Sequence, residues 1–330
     1  MRHDVFHERL RELDGMVARA LAESGGAEPA GSWIGETADA VLDVYARVAR
    51  EIEGRSPRDL LAGLLAGSSD NAGAAAAGYD DTLEPWVAPL LRALYHTWWR
   101  VEVTGLGNVP ATGRVLLVAN HAGGLFAHDA AMLKVALREE HPARRGAVVL
   151  VDDLASGLPL LGDLVRRCGA VHATPANAER LLAREHAVIA FPEGARAIAK
   201  RYAERYRLQR FGRDGFVRAA LRTGAPVVPV AIIGAEEAHP VVARADRLGR
   251  LLGLPYLPIT PTFPWLGLFG LVPLPSKWRI EIGAPLPWSL QPEPDAASDR
   301  ALVRRLAEEM RRSVQRLVVQ ALERRGTAFF

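Results

Sequence analysis

The sequence predicts an α/β protein with a mixed, mostly parallel central sheet flanked by helices, preceded by a helical appendage. Three observations carry this. From about residue 101 onward, short β-branched runs alternate with segments of helical periodicity, the pattern of a sheet covered on both faces. The first 80 residues show only helical periodicity and end in a small-residue stretch. The 330-residue chain is 49% hydrophobic and 24% charged, an ordinary globular balance long enough for one large domain with a smaller appendage.

Within 1–80, Val5, Phe6, Leu10, Leu13, Val17 and Leu21 recur at helical spacing, as do Ala38, Val41, Leu42, Tyr45, Val48 and Ile52. GSSDNAGAAAAGY, residues 67–79, then reads as a linker. Residues 81–330 form the α/β domain. A helix over about 83–98 lines up Leu83, Trp86, Leu90, Leu91, Leu94, Tyr95 and Trp98. The strands expected are VEVTG (101–105), RVLLVAN (114–120), VVLV (148–151), AVIAF (187–191), PVVPVAII (226–233) and WRIEIG (278–283). Helical patterns fill about 129–138, 175–184 and 214–223, and 299–324 closes the chain with Leu302, Leu306, Met310, Val314, Leu317 and Leu322 on one side.

The net charge of +3 and a pI near 9.2 permit an acidic partner without naming one. Cys168 is the single cysteine, so no internal disulfide can form and a reducing, cytoplasmic compartment is expected. The charged start MRHDVFHERLRELD does not read as a signal peptide, and no run of about 18 uninterrupted apolar residues predicts a spanning helix. Residues 251–275 (LLGLPYLPITPTFPWLGLFGLVPLP) carry no charge, but their six prolines forbid a continuous helix. Their aromatics Tyr256, Phe263, Trp265 and Phe269 suit a lipid headgroup boundary, so peripheral attachment to the inner face of the cell membrane is expected there; the alternative is a core loop.

GLGNVP (105–110) is not a dinucleotide loop, because Pro110 and a second strand follow where a helix should start. No G-x-S-x-G elbow is present. VANHAGGLFAHDAAML (118–133) places His121, His128 and Asp129 after an apolar run. A histidine beside a carboxylate is an arrangement for general-base work, and Asp129 also suits the first turn of the following helix. A metal reading would use the same three residues, but adjacent residues seldom aim at one ion, so no metal is expected. His128 reads as a loop residue, solvated or lining a pocket. AVIAFPEGARA (187–197) ends a strand in Pro-Glu-Gly-Ala-Arg. Arg196, Lys200, Arg201, Arg205, Arg207, Arg210, Arg213 and Arg218 then face only Glu204 and Asp214, an imbalance that suits phosphate. Tyr202, Tyr206 and Phe211 interleave, which brings single-stranded nucleic acid into consideration, although nothing else favours it.

The ordered set NHAGGLFAHD, FPEGARA and PVVPVAIIGAEE resembles the glycerolipid acyltransferase family of the bacterial lysophosphatidate acyltransferase type, over roughly residues 95–290. The resemblance implies transfer of an acyl group from acyl-CoA or acyl carrier protein to a hydroxyl of a lipid acceptor, without a cofactor. It implies His121 with Asp129 as the catalytic pair, and Asn120, Glu193, Gly194, Arg196, Lys200 and Arg210 as substrate contacts, with Val228, Pro229 and Val230 on a strand closing the site. Two departures stand out. A strict His-x4-Asp spacing would place the acid at 126, which is Phe126, and the stretch GAVHATPANA (169–178) has His172 and no arginine. The second departure points to a divergent acceptor, neutral or with a different head group. The first is the feature that favours a degenerate lipid-binding or regulatory protein on the same fold.

Overall fold

The computed structural model describes residues 84–122, 127–152, 169–198, 200–251, 256–265, 267, 270, 272–288 and 295–328. The expected appendage over 1–80, its linker at 67–79 and the Gly-Gly part of the 118–133 loop lie outside these residues.

Helix α1 (Glu84–Arg92) passes without a break into a wider π-turn, Ala93–Trp98, that buries Tyr95 and Trp98. Seven strands form one sheet: β1 (Glu102–Thr104), β2 (Val115–Ala119), β3 (Ala147–Val151), β4 (Ala170–His172), β5 (Ala187–Ala190), β6 (Val227–Ile233) and β9 (Arg279–Ile282). Their spatial order is β1-β9-β6-β2-β5-β3-β4; every pairing is parallel except β6 with β9. The sheet is thus mixed and mostly parallel, as the alternating pattern predicts.

All residues of β2, β3, β5 and β6 are buried, which is why those runs are apolar without alternation. Period-2 geometry divides them between two faces. Leu116, Val118, Val188 and Ala190 join one cluster with Leu181 and Leu182 of α3 (Pro175–Ala183), and with Phe216, Val217 and Leu221 of α5 (Gly215–Thr223). The same cluster takes Val303, Met310, Val314 and Val318 of α8 (Arg300–Arg324). Residues Val115, Leu117 and Ala119 point to the other face, where α2 (His128–Glu139) packs against α1 and β3. Removing one such buried leucine side chain costs about 2–5 kcal/mol.

Local chemistry sets the ends of the elements. Pro175 opens α3 behind Thr174, whose Oγ1 accepts the Asn177 N–H at 3.1 Å; Asp299 caps α8 through the Ala301 and Leu302 N–H groups at 2.8 and 3.2 Å. Pro229 sits inside central strand β6, a position that normally rejects proline. Its carbonyl accepts Gly283 N–H at 2.8 Å just past the end of β9, so the missing donor faces a finishing ladder.

Three strands fall outside those expected from the sequence: the edge strand β4 and a separate antiparallel pair. β7 (Ala243–Ala245) pairs antiparallel with β8 (Leu257–Ile259), and β8 begins inside the uncharged 251–275 segment. There Tyr256 is buried, while Trp265 is 60% exposed. The short helices α4 (Ala195–Ile198), α6 (Ala235–Ala238) and α7 (Asp246–Leu251) complete the described α-helices. None of the described helices is long and apolar enough to cross a membrane.

Candidate active site

The connection from β2 to β3 carries α2 on one face of the sheet, and the connection from β5 to β6 carries α5 on the other. The loops after the adjacent strands β2 and β5 therefore turn to opposite faces at the carboxyl ends of the strands, the position where open α/β sheets hold ligands. Asn120, His121 and Ala122 follow β2; Phe191, Pro192, Glu193 and Gly194 follow β5; Gly234 and α6 follow β6.

His121 Nδ1 lies 2.6 Å from Asp129 Oδ2. Asp129 is completely buried in the first turn of α2, and the same Oδ2 accepts the Ala122 N–H at 2.7 Å, while Oδ1 accepts Ala130 N–H at 2.8 Å. Ala127, with φ of 50°, turns the chain into the helix and returns the acid to the histidine. Burial opposes a charge on His121, but the charge and hydrogen bond of Asp129, with Glu193 adding, outweigh it and raise the imidazole pKa. With Nδ1–H donated to Asp129, the basic lone pair is on Nε2. The Phe191 ring lies 4.8 Å from the His121 ring, between centroids.

His128 is not a solvated loop residue. It opens α2, one residue earlier than the periodicity predicts, with its ring 5.1 Å from Trp99 and stacked 5.5 Å from His239. Burial, then the neighbouring His239, lowers its pKa to about 3, so it stays neutral at any physiological pH.

Glu193 is 3% exposed and ties two loops together: Oε1 accepts the His121 N–H at 3.0 Å and Oε2 the Gln209 N–H at 2.5 Å. Burial raises its pKa, against the pull of Lys200 and the two backbone donors. Gly194, with φ of +61°, closes the turn by donating to Phe191 O at 3.1 Å, the left-handed conformation that favours glycine. Asn120 is 1% exposed, and its side-chain amide gives to Ile232 O at 2.8 Å and takes Ile232 N–H at 2.7 Å. It continues the β2–β6 ladder with a side chain where the strand has ended, and so aims the next residue, His121.

Lys200 is buried. Its ammonium lies 2.8 Å from Glu236 Oε1 on α6 and donates to Arg207 O at 3.2 Å. Glu236, paired with it, had no assigned role in the sequence reading; an acid at the exit of a third parallel strand was its available signal. A cleft runs from Ala122, next to the histidine, past Ala197, Lys200 and Glu236 to His239 and Val241. Arg196 and Arg210 are exposed. Of the other basic residues, Arg213 pairs with Asp152 at 2.8 Å, Arg218 with Asp214 at 3.4 Å, and Arg205 lies over the Tyr202 ring. The basic run is thus partly internal pairing and partly open surface.

The family model described as "Acyltransferase" matches residues 100–233, from the start of β1 through the end of β6. "Uncharacterized protein Rv0502" of Mycobacterium tuberculosis is 47% identical over 244 residues, covering 74% of this chain and 68% of that protein. The chain belongs to the acyltransferase family. "Uncharacterized protein ML2427" of Mycobacterium leprae is 45% identical over 244 residues, covering 74% of this chain and 66% of the relative. "Phytyl ester synthase 1, chloroplastic" of Arabidopsis thaliana is 31% identical over 153 residues, 45% of this chain and 21% of that protein. Among solved structures, the 1-acyl-sn-glycerophosphate (LPA) acyltransferase PlsC from Thermotoga maritima superposes with a TM-score of 0.43 at 22% identity, covering 73% of this chain and 84% of that one. The ordered motifs that first suggested the family are the loops that converge on His121. Both departures noted in the sequence stand, which makes it a divergent member.

Proposed function

We propose that this acyltransferase moves a fatty acyl group from a thioester, acyl-CoA or acyl carrier protein, to a hydroxyl of a lysophospholipid or related lipid acceptor. The observation that carries this reading is the 2.6 Å contact between His121 and buried Asp129. In this mechanism the acceptor oxygen attacks the thioester carbonyl as His121 Nε2 takes its proton. The tetrahedral adduct collapses, the carbon–sulfur bond breaks, and the proton passes to the departing thiolate. Asp129 holds the tautomer and favours the imidazolium that forms. The relative named as a phytyl ester synthase supports ester formation as the reaction type.

In this reading Arg196 and Arg210, both exposed, contact phosphate groups of the donor, with the planar guanidinium fork as the recognition element. Membrane contact is assigned to 251–275, where Trp265 and Val272 are 60% and 41% exposed in a segment without charge. The protein would then work in the cytoplasm on the inner face of the membrane. The degenerate lipid-binding reading rested on the long His–Asp spacing, and the 2.6 Å contact between those two residues counts against it.

The test is release of free thiol from acyl-CoA, with and without a panel of lipid acceptors, for wild type and His121→Ala. Acceptor-dependent release that vanishes in the variant supports the reading; equal release by both overturns it.

A further inference from the structure

We infer that the acceptor hydroxyl reaches His121 on an uncharged group, an acylglycerol or a long-chain alcohol, and not beside a phosphate monoester. This deepens the proposed acyl transfer and rests on it. We take the cleft lined by Ala122, the residue after His121, as the acceptor's approach; its one interior cation among the described residues is Lys200. That cation is already committed, 2.8 Å from Glu236 and donating to a backbone carbonyl. Glu193 lies within its field as well, with Arg311 acting on Glu193 from outside the cleft lining, and a third acid, Asp129, stands behind the histidine.

Arg201 lines the cleft only at its rim. Its side chain is 63% exposed and its guanidinium lies 3.8 Å from Glu204. A phosphate monoester brings nearly two negative charges into this setting. To bind it, Lys200 would have to leave Glu236, stranding a buried carboxylate, which proteins strongly disfavour. An uncharged hydroxyl, ether or ester meets no such penalty. It faces apolar Ala122, Ala197 and Val241 and needs no net positive charge. The stretch around His172 agrees, since it lacks an arginine that could answer a phosphate.

The experiment uses the purified full chain, palmitoyl-CoA, and three acceptors presented in the same neutral detergent micelles: monooleoylglycerol, hexadecanol and oleoyl lysophosphatidate. Products are read by mass spectrometry and CoA release by thiol titration. The better uncharged acceptor should exceed lysophosphatidate in kcat/KM by roughly 100-fold or more. Equal or better use of lysophosphatidate overturns the inference while leaving acyl transfer intact. CoA release and acyl products absent with all three overturn the acyl-transfer reading, and the inference with it. The wild-type ratio decides without any variant. Glu236→Gln, which removes one charge at nearly constant shape, should narrow that ratio by about tenfold or more by leaving Lys200 able to meet phosphate. A folded variant with an unchanged ratio would overturn the electrostatic origin claimed here.

Discussion

Asp129 lies eight positions beyond His121, yet its Oδ2 sits 2.6 Å from the histidine's Nδ1 and also holds the next backbone N–H. The spacing of the motif is therefore secondary to where the helix starts. Because α2 begins at His128, its first turn points the acid back at the exit of β2.

That pairing sets the pH dependence. The His121 pKa is raised, and the base must be neutral to accept a proton. Activity should therefore be lost as pH falls through a midpoint above the ordinary imidazole value and be full above it. The acid limb of kcat/KM against pH checks this; a midpoint below the ordinary value would contradict it. By NMR, His121 should titrate in that window, whereas His128 should stay neutral down to about pH 3, the value its burial and His239 impose.

Arg196 is exposed on α4, so substrate and not stability should depend on it. Arg196→Lys keeps the charge and loses the fork, and should lower kcat/KM for acyl-CoA by about tenfold, near 1.4 kcal/mol, with Tm unchanged. A lysine variant of full activity would reject a bidentate contact.

Gly234 ends β6 with φ of +96°, and a Cβ there would lie 2.3 Å from Lys277 O and 2.9 Å from Trp278 Cα. Both are backbone atoms that cannot swing aside. Gly234→Ala should lose about 2–3 kcal/mol in denaturant unfolding, from strain plus overpacking. A loss under about 0.5 kcal/mol, the level of an ordinary surface change, would show that the β6–β9 junction yields more easily than its geometry indicates.

The loop that carries Trp265 should bind membranes. Replacing Trp265 by Ser should reduce sedimentation with anionic lipid vesicles and leave Tm unchanged, because 60% of the residue is exposed. Unchanged sedimentation would return 251–275 to a purely internal role.

Much of this was legible because buried parallel strands advertise themselves. RVLLVAN and PVVPVAII could be little else, and their exits carry Asn120, His121 and the residues after β6. The contact between His121 and Asp129 was legible too, since the sequence sets an acid at a helix start shortly after a histidine at a strand exit. β7 and β8 were not: Ala-Arg-Ala is mostly exposed and Leu-Pro-Ile contains a proline, so neither shows a strand pattern. The six residues from Ala93 to Trp98 follow helical spacing in sequence, and hydrophobic periodicity does not separate a π-turn from an α-helix. Lys200 read as a member of a basic run, because nothing local revealed that Glu236, from the far side of β6, would neutralise it.

The measurement that bears most directly on the account is kcat for Asp129→Asn beside His121→Ala and His128→Ala, each with its Tm. Asparagine can keep a hydrogen bond but not the charge that favours imidazolium, so turnover should fall by roughly 100-fold or more. His121→Ala should abolish acceptor-dependent transfer, and His128→Ala should cost far less. A nearly silent Asp129→Asn together with loss of turnover in folded His128→Ala would contradict the pairing and place the chemistry elsewhere in the loop.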